Sequence, residues 1–334
     1  MKTLWFDLTN APHVHFFAPI VEKYRASAHI VISVRDYSET VELARSKFRE
    51  QCVVIGAHGG GNRLKKISKM LARLNLLRKQ IGGFDFAISC GGFEASLYAK
   101  IRHSVSVVFD DNDLSPNWMY SRFADHVFFP EAVNKETLLK QGFRSTSTYQ
   151  YEGYKEDMYI ADYEPDANFP ETLPFDNYVV IRPENTMASY LNSNIRSIVP
   201  QLLYLFINKG YNVLYFPRTD VERRYAYGLN NVYVPREPVN GLDAAFFSQA
   251  VLSGAGSLTR EAACLGRPAV SFYAGERLLA VDQRMIEDSW LFHSRDPIEI
   301  IAYVRRAGFR KFDRVRSKRV QESVFRKLDE ILIG

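Results

Sequence analysis

The feature that most constrains the fold is an alternation, along nearly the whole chain, of short β-branched or aromatic runs with amphipathic stretches. This alternation is typical of α/β folds with parallel sheets. In the first half the runs predict strands at Thr3–Leu8, Ile30–Val34, Cys52–Ile55, Phe86–Ser89, Ser104–Phe109 and His126–Phe129. The stretches between them predict helices at His15–Arg25, Ser38–Phe48, Leu64–Gln80, Phe93–Ile101 and Asn134–Gln141.

The alternation restarts after an acidic segment, residues 162–177, which contains three prolines and neither lysine nor arginine, as is typical of a linker. Strands are then predicted at Tyr178–Ile181, Asn212–Phe216, Val232–Val234, Ala250–Leu252 and Ala269–Tyr273. Helices are predicted at Asn194–Asn208, Leu242–Ser248 and Leu258–Leu265, with a basic helical tail from Pro297 onward. We therefore expect two Rossmann-like domains that face a cleft, with ligands at the carboxyl ends of their strands. The predicted divisions are an N-terminal domain at 1–161, the linker at 162–177, a C-terminal domain at 178–318 and a final helix at 319–334.

Composition excludes several classes of protein. With 334 residues, of which 46% are hydrophobic and 24% charged, the chain can bury sizeable cores and is not a disordered or fibrous protein. Its three cysteines lie far apart, and no CxxC or histidine-rich cluster indicates zinc or a disulfide framework. The chain begins without the apolar run of a signal peptide and contains no run of ~18 apolar residues that would span a membrane. These patterns predict a cytoplasmic protein.

Positive charge is concentrated in two segments, although the net charge is only +5. Residues 63–79 hold seven Lys or Arg and no acid, and residues 305–327 hold ten against two acids, so the remainder is acidic. A nucleic-acid-binding protein would be basic more uniformly, and no nucleic-acid partner is expected. The predicted helix Leu64–Gln80 is amphipathic and basic, and such a helix can lie on an anionic membrane at its inner face and bring the protein to a lipid-linked acceptor. The alternative is a core-packed helix with a solvated basic face.

The most informative segment is Val251–Tyr273, VLSGAGSLTREAACLGRPAVSFY. A strand ends before SGAGS, whose glycines allow a tight turn, and Ser257 or Thr259 can cap the helix that follows. A glycine turn leading into a helix N-terminus presents N–H groups and a positive dipole end, which predicts a diphosphate site, although it can also merely pack a helix on a strand. Glu261, one turn into the helix, is placed to accept hydrogen bonds from a ribose diol. The residues assigned to this nucleotide-sugar site are Ser253, Gly254, Gly256, Ser257, Thr259 and Glu261.

A second candidate lies in FDLTNAPHVHFFAPI, where the turn after the first strand places His13 at the strand's carboxyl end. A histidine there can act as a general base or hydrogen-bond an anion, or it can be a structural residue at the helix start. His13 and His15 lack a third ligand, so no metal site is predicted.

Four further residues follow predicted strands. Asp111 in FDDND can act as a base, or it can lie in a solvated turn, and Glu94 in CGGFE follows another glycine turn. In the second half, Arg182 in IRPEN and Arg218 in PRTD can neutralise a phosphate.

Together, the runs FDLTNAPHVHFF, GYKE and GAGSLTREAACLGRPAVSFYAGE resemble the domain of unknown function 354 family over nearly the whole chain. That family is similar to the GT-B superfamily of nucleotide-sugar enzymes, which implies two Rossmann-like domains with parallel sheets. The segment from Ser253 to Glu261 is similar to the nucleotide-binding run of the N-acetylglucosaminyltransferase that completes lipid II. That similarity implies that Glu261 binds the ribose and that Gln283 contacts the donor sugar.

The segment Gly254–Pro268 also resembles the non-hydrolysing UDP-N-acetylglucosamine (UDP-GlcNAc) 2-epimerases. Two motifs of those enzymes are not matched. The histidine of their His-Arg-Arg-Glu-Asn motif is absent from Ile181–Asn185, and Ser89–Gly92 stands in place of their His-Gly-Asp-Thr motif. These losses count against an epimerase reaction.

The leading functional hypothesis is a metal-independent glycosyltransferase that moves a sugar from a nucleotide-diphosphate donor to a glycan or lipid-linked acceptor, as in cell-envelope polysaccharide synthesis. His13, or alternatively Asp111, would deprotonate the acceptor hydroxyl, and the nucleotide sugar is a substrate, with no cofactor expected. One alternative is an epimerase or hydrolase that uses Glu94 and Asp111. Another is a protein that binds sugar nucleotides without catalysis.

Overall fold

The computed structural model describes residues 1–37, 39–57, 63–184, 196–237 and 239–334, with side chains throughout except at residues 63–67. The chain divides into two compact units. The first comprises Met1–Asp162, Leu279–Val281 and Val315–Gly334, and the second comprises Tyr163–Leu278 and Asp282–Arg314. The final helix, predicted as a separate segment, thus groups with the first unit.

The first unit is built on a parallel sheet of seven strands in the order β3-β2-β1-β4-β5-β6-β7. Its strands are β1 (Thr3–Leu8), β2 (His29–Asp36), β3 (Cys52–Ala57), β4 (Phe86–Cys90), β5 (Val105–Phe109), β6 (His126–Pro130) and β7 (Thr148–Tyr151). Its helices are α1 (Ala11–Tyr24), α2 (Thr40–Lys47), α3 (Arg63–Gln80), α4 (Phe93–Arg102), α5 (Trp118–Ser121), α6 (Lys135–Lys140) and α7 (Asp157–Ile160). The strand order reverses between β1 and β4, the point in such sheets where ligands bind.

Buried aromatic side chains pack on both faces of this sheet. On one face, the rings of Phe16 and Phe17 in α1 meet that of Phe109 in β5 edge to face, with ring centroids 5.0 and 6.1 Å apart. On the other, Trp5 of β1 packs in a cluster of buried residues with Leu77 of α3. Strand residues alternate between the faces, so helices α1 and α3 cover opposite sides of one sheet.

The second unit repeats this plan with six parallel strands in the order β10-β9-β8-β11-β12-β13. The strands are β8 (Tyr178–Arg182), β9 (Asn212–Tyr215), β10 (Val232–Tyr233), β11 (Ala250–Ser253), β12 (Ala269–Ser271) and β13 (Phe292–His293). The helices are α8 (Val199–Asn208), α9 (Asp220–Arg223), α10 (Gly241–Phe246), α11 (Gly256–Cys264), α12 (Ala280–Glu287) and α13 (Pro297–Arg306). The last helix of the chain is α14 (Arg314–Leu332). Here the order reverses between β8 and β11.

The predicted alternation of strands and helices is confirmed, but six elements were missed: strands β7 and β13, the four-residue helices α5, α7 and α9, and helix α12. Strand β7 lies at the edge of its sheet and is mostly half-buried, so it lacks the apolar run that marked the other strands. Strand β13 has two residues and is too short to show a pattern. The predicted starts of two helices, at Ser38 and Asn194, lie outside the described residues.

The acidic segment predicted as a linker packs within the second unit from Tyr163 onward. The Tyr163 hydroxyl donates to the carboxylate of Asp243, and the ring of Phe169 stacks on that of Phe247. The aromatic residues of this segment therefore order it, despite its prolines and acids.

Candidate functional site

The glycine turn of the second unit lies at the switch between β8 and β11. The N–H of Gly254 donates to the carbonyl of Arg182, 3.1 Å away. A Cβ at position 254 would lie 2.5 Å from the Cα of Glu184 and 2.7 Å from its backbone nitrogen. Because two backbone segments approach this closely, the position requires glycine.

Helix α11 begins directly after this turn, and no side chain caps it. Its N-cap is Ala255 in an extended conformation, and its first turn contains no acidic residue. The Ser253 hydroxyl accepts from the Ala255 N–H at 3.0 Å and thereby closes the turn. The helix therefore directs the positive end of its dipole at the carboxyl edge of the sheet, as an anion site requires.

The predicted capping role of Ser257 and Thr259 is wrong, because both residues lie inside α11. The Thr259 hydroxyl is buried and donates to the carbonyl of Gly256 at 2.8 Å. Ser257 is half-buried, whereas Glu261 is 8% exposed on the next turn. The helix starts at Gly256 because the Ser253 hydroxyl, rather than a later one, closes the turn.

Two arginines lie near the end of β8, although one of them, Arg218, follows β9 in the chain. Arg182 is the last residue of that strand and is half-buried. The guanidinium of Arg218 donates to the carbonyl of Pro183 at 2.6 Å, so both cations lie beside the glycine turn. In contrast, Gln283 is exposed on α12 and donates to the carbonyl of Leu278 at 2.9 Å, and no described contact joins it to these residues.

The first unit places His13 in the first turn of α1, 8% exposed. Its Nδ1 accepts from the backbone N–H of Thr9 at 3.3 Å. Burial, reinforced by the positive charge of Lys155, lowers the pKa of His13 to about 3. The imidazole is therefore neutral near pH 7 and is a weak proton acceptor.

A pair of carboxylates follows β5, and a lysine that follows β7 contacts one of them. Asp111 is 7% exposed, and the Nζ of Lys155, itself buried, lies 3.0 Å from its Oδ1 and 2.9 Å from its Oδ2. Burial, then the charge of Asp111, raises the pKa of Asp110 to about 6, although hydrogen bonds from Tyr120 and a backbone N–H oppose the rise. A carboxyl group with this pKa is suited to proton transfer near neutral pH.

Glu94 lies in the first turn of α4 and is held by arginines. Its Oε1 accepts from Arg35 at 2.9 Å and lies 3.9 Å from Arg73. Arg73 in turn donates through both terminal nitrogens to Asp7, at 3.0 and 2.5 Å. These ion pairs indicate that Glu94 belongs to a charge network on the α3 and α4 side of the sheet.

The predicted basic face of Leu64–Gln80 needs one correction. Arg73 does not belong to a solvated basic face: it is 2% exposed, because its guanidinium pairs with the buried Asp7 of β1. Lys69, Arg78 and Lys79 are exposed, as is Leu71 at 56%. Whether this helix meets a membrane stays a prediction.

Sequence inspection missed Asp110, Lys155 and Arg35 as site residues. Asp110 and Asp111 are adjacent carboxylates that differ only in their surroundings in the fold, and only the turn at Gly153, with φ +93°, places Lys155 beside the strand ends. Glu184 was also missed: it is fully buried, and its carboxylate accepts from Ser197 at 2.6 Å. The sequence signal for Glu184 was its position in IRPEN, shortly after a predicted strand.

Within the described part of the chain, no group of three His, Cys, Asp or Glu residues could hold a metal ion. No helix in that part is long and apolar enough to cross a membrane.

Several solved structures share this fold. The UDP-GlcNAc 2-epimerase from Neisseria meningitidis, bound to UDP-GlcNAc, has a TM-score of 0.74 and 14% identity, covering 97% of this chain and 100% of that chain. The UDP-GlcNAc 2-epimerase from Methanocaldococcus jannaschii, in complex with UDP-GlcNAc and UDP, has a TM-score of 0.72 and 16% identity, covering 98% and 99%. The glycotransferase of kitacinnamycin has a TM-score of 0.60 and 11% identity, covering 96% and 94%. The predicted GT-B-type fold of two parallel-sheet, Rossmann-like domains is therefore confirmed.

Sequence relatives give the family. The uncharacterized protein MJ0665 of Methanocaldococcus jannaschii is 28% identical over 314 residues, which are 90% of this chain and 90% of that protein. A family model with the description "Protein of unknown function (DUF354)" matches residues 2–332. The match spans both units, as the predicted resemblance required, and the chain belongs to the DUF354 family.

Proposed function

We propose that the protein is a metal-independent glycosyltransferase that takes a nucleotide-diphosphate sugar as donor. The observation that carries the proposal is the turn at Gly254, where β8 and β11 diverge and the uncapped α11 begins. A diphosphate supplies the negative charge that such a helix end attracts. Enzymes of the same fold are described as bound to UDP-GlcNAc, which supports a uridine nucleotide as the first donor to test.

The second unit would bind the donor. Arg182, at the end of β8, and Arg218, whose guanidinium contacts the Pro183 carbonyl, would neutralise the diphosphate. The dipole of α11 would stabilise the charge that develops on the diphosphate as the sugar leaves. Glu261 would bind the ribose and Gln283 the sugar, the latter after releasing the Leu278 carbonyl.

The first unit would activate the acceptor hydroxyl. With its pKa lowered by burial to about 3, His13 is a poor final proton acceptor, and we assign it a hydrogen bond to the hydroxyl instead. The proton would pass to the carboxylate pair Asp110 and Asp111, because the raised pKa of Asp110 suits proton transfer near neutral pH. The hydroxyl oxygen would then form the new glycosidic bond as the bond to the diphosphate breaks.

Epimerisation of the donor is the second candidate, and the same carboxylates favour it. Moving a proton on and off a sugar carbon requires an acid and a base with pKa values near neutrality, as at Asp110. The epimerases that share the fold agree with this alternative. Glu94, whose carboxylate is held by Arg35, is less suited to either reaction.

Product analysis separates the hypotheses. Purified protein is incubated with UDP-GlcNAc, with and without a mixture of phospholipid-linked and free glycan acceptors, and the donor is followed by proton NMR in the presence and absence of EDTA. A transferase releases UDP only when acceptor is present, and EDTA does not change the rate. An altered sugar without acceptor indicates an epimerase, and a donor that is bound but unchanged indicates a binding protein.

We also propose that α3 touches an anionic membrane surface, because Leu71 is 56% exposed on a helix that also exposes Lys69, Arg78 and Lys79. Co-sedimentation with phosphatidylglycerol vesicles tests this, with phosphatidylcholine vesicles as the control. Leu71→Ser should reduce binding to the anionic vesicles. Equal binding to both lipids would contradict the proposal.

A further inference from the structure

Two buried polar atoms in the first unit lie at the end of its sheet without a role in the reaction proposed above. They are the Oγ of Ser89, at the end of β4, and the Nε of Arg35, at the end of β2. Neither has a hydrogen-bond partner among the residues that the structure describes. Burying such a group unpaired costs about 1–3 kcal/mol, so each orphaned group requires an explanation.

The Ser89 hydroxyl points at the start of α4. The residue is 2% exposed, and its Oγ lies 2.5 Å from where a Cβ on Gly92 would be. Gly92 is the N-cap of α4, and no side chain caps that helix. The hydroxyl thus lies beside the N–H groups that open a helix of ten residues.

Arg35 contacts the same turn of α4. Its terminal nitrogen donates to Glu94, the second residue of α4, at 2.9 Å, which fixes the guanidinium there with a side-chain exposure of 21%. Asp7 is already paired with both terminal nitrogens of Arg73, and the Nε–H of Arg35 is buried without a hydrogen-bond partner among the described residues.

From this geometry we infer that the start of α4, with Ser89 and Arg35, binds an oxyanion of the acceptor substrate, a phosphate group. A tetrahedral oxyanion accepts several hydrogen bonds at once and is favoured by the helix dipole. The carboxylate of Glu94 faces the same turn and opposes the anion, so affinity for free phosphate is expected to be modest. This inference rests on the proposed function only in naming the acceptor as the source of the phosphate, because the second unit is assigned the donor diphosphate.

Titration with inorganic phosphate, in protein saturated with UDP, tests the inference. The amide signals of Gly92, Phe93 and Glu94 are followed by two-dimensional nitrogen–proton NMR. We expect saturable shifts at these amides, and Ser89→Ala and Arg35→Lys should each weaken the affinity at least ~10-fold, as expected when a hydrogen bond to a charged group is lost. Arg35→Lys retains the charge opposite Glu94 but removes the Nε–H.

Matched controls on α2 are Ser46→Ala and Arg45→Lys, both at exposed positions, which should leave the phosphate affinity unchanged. Without phosphate, Ser89→Ala should melt at the same temperature as the wild type or higher, since an unpaired buried hydroxyl has been removed. Equal phosphate affinity in Ser89→Ala, Arg35→Lys and the wild type would overturn the site.

Comparing the phosphate titration with and without UDP identifies the source of the anion. If phosphate shifts the α4 amides only when UDP is absent, the site binds the donor and the acceptor assignment is wrong. If the wild type binds UDP but not phosphate at α4, the inference fails while the proposed donor site stands. Ser89-dependent phosphate binding in a protein that binds no nucleotide would support the site and contradict the proposed function.

Discussion

Replacing Arg73 with methionine should destabilise the first unit strongly while leaving the second intact. Arg73 and Asp7 are 2% and 1% exposed, and the two are joined by hydrogen bonds of 3.0 and 2.5 Å. The Arg73 Nε also donates to the carbonyl of Ile55 at 3.0 Å. Removing the arginine leaves a buried carboxylate and an unpaired carbonyl, and breaking a buried pair in this way costs about 3–5 kcal/mol.

Hydrogen exchange measured by mass spectrometry resolves the two units. In Arg73→Met, we expect faster exchange in peptides covering Thr3–Leu8 and unchanged exchange in peptides covering Tyr178–Arg182. Arg78→Met, at an exposed position on the same helix, is the control and should change neither. Equal exchange in the two variants would refute the assignment of the pair as a buried contributor to stability.

The ion pair between Arg73 and Asp7 also makes the stability of the first unit depend on pH. Burial acts to raise the pKa of Asp7, but attraction to Arg73 and the hydrogen bonds from Arg73 and Ser33 outweigh it, so the pKa is lowered overall. A carboxyl whose pKa is lower in the folded state stabilises the protein above its unfolded value, and that stability is lost as the pH falls through the folded value. In the wild type, protection of Thr3–Leu8 from hydrogen exchange should therefore decrease as the pH drops below ~4. In Arg73→Met, this protection should change less over the same pH range.

Three further predictions concern the site. Gly254→Ala should abolish UDP binding measured by calorimetry, because the added Cβ would lie 2.5 Å from the Cα of Glu184, whereas Gly228→Ala, where the Cβ meets nothing within 4 Å, should retain it despite backbone strain. Glu261→Ala should weaken binding of the donor roughly 10- to 150-fold, the loss expected for hydrogen bonds to a charged group, and an unchanged affinity would contradict its ribose role. His13→Ala should leave donor affinity intact and lower turnover. In the wild type, the imidazole nitrogen chemical shifts should stay those of a neutral ring from pH 8 to 5, since burial lowers the pKa of His13 to about 3. Titration of the ring near pH 6.5 would contradict that buried environment.

The order of elements followed from sequence because each half carries its apolar runs at regular intervals. The glycine turn at Gly254 was also predictable, since its position between a strand and a helix is a local pattern. The exposed Gln283 shows the limit of that approach: similarity to a motif gave it a role, but the described contacts place it on the surface of α12.

Contacts between residues far apart in sequence were beyond prediction. Arg73 lies four positions before the buried Leu77, on the buried face of α3, but only the approach of Asp7, 66 positions earlier, explains why a charged residue is buried there. Lys155 is likewise buried beside a residue far away in sequence, because its ammonium pairs with Asp111, 44 positions away. The weak basicity of His13 arises from burial and from Lys155, neither of which the local sequence indicates.

The central claim is that the second unit binds the diphosphate of a nucleotide sugar at the start of α11. Its most direct test is titration of the wild-type protein with UDP, GDP, dTDP and CDP, followed through the amide signals of residues 254–258. The account predicts saturable shifts at these amides with at least one of the nucleotides, accompanied by the loss of those shifts in Gly254→Ala and their retention in Gly228→Ala. Absence of shifts at residues 254–258 with all four nucleotides would contradict it.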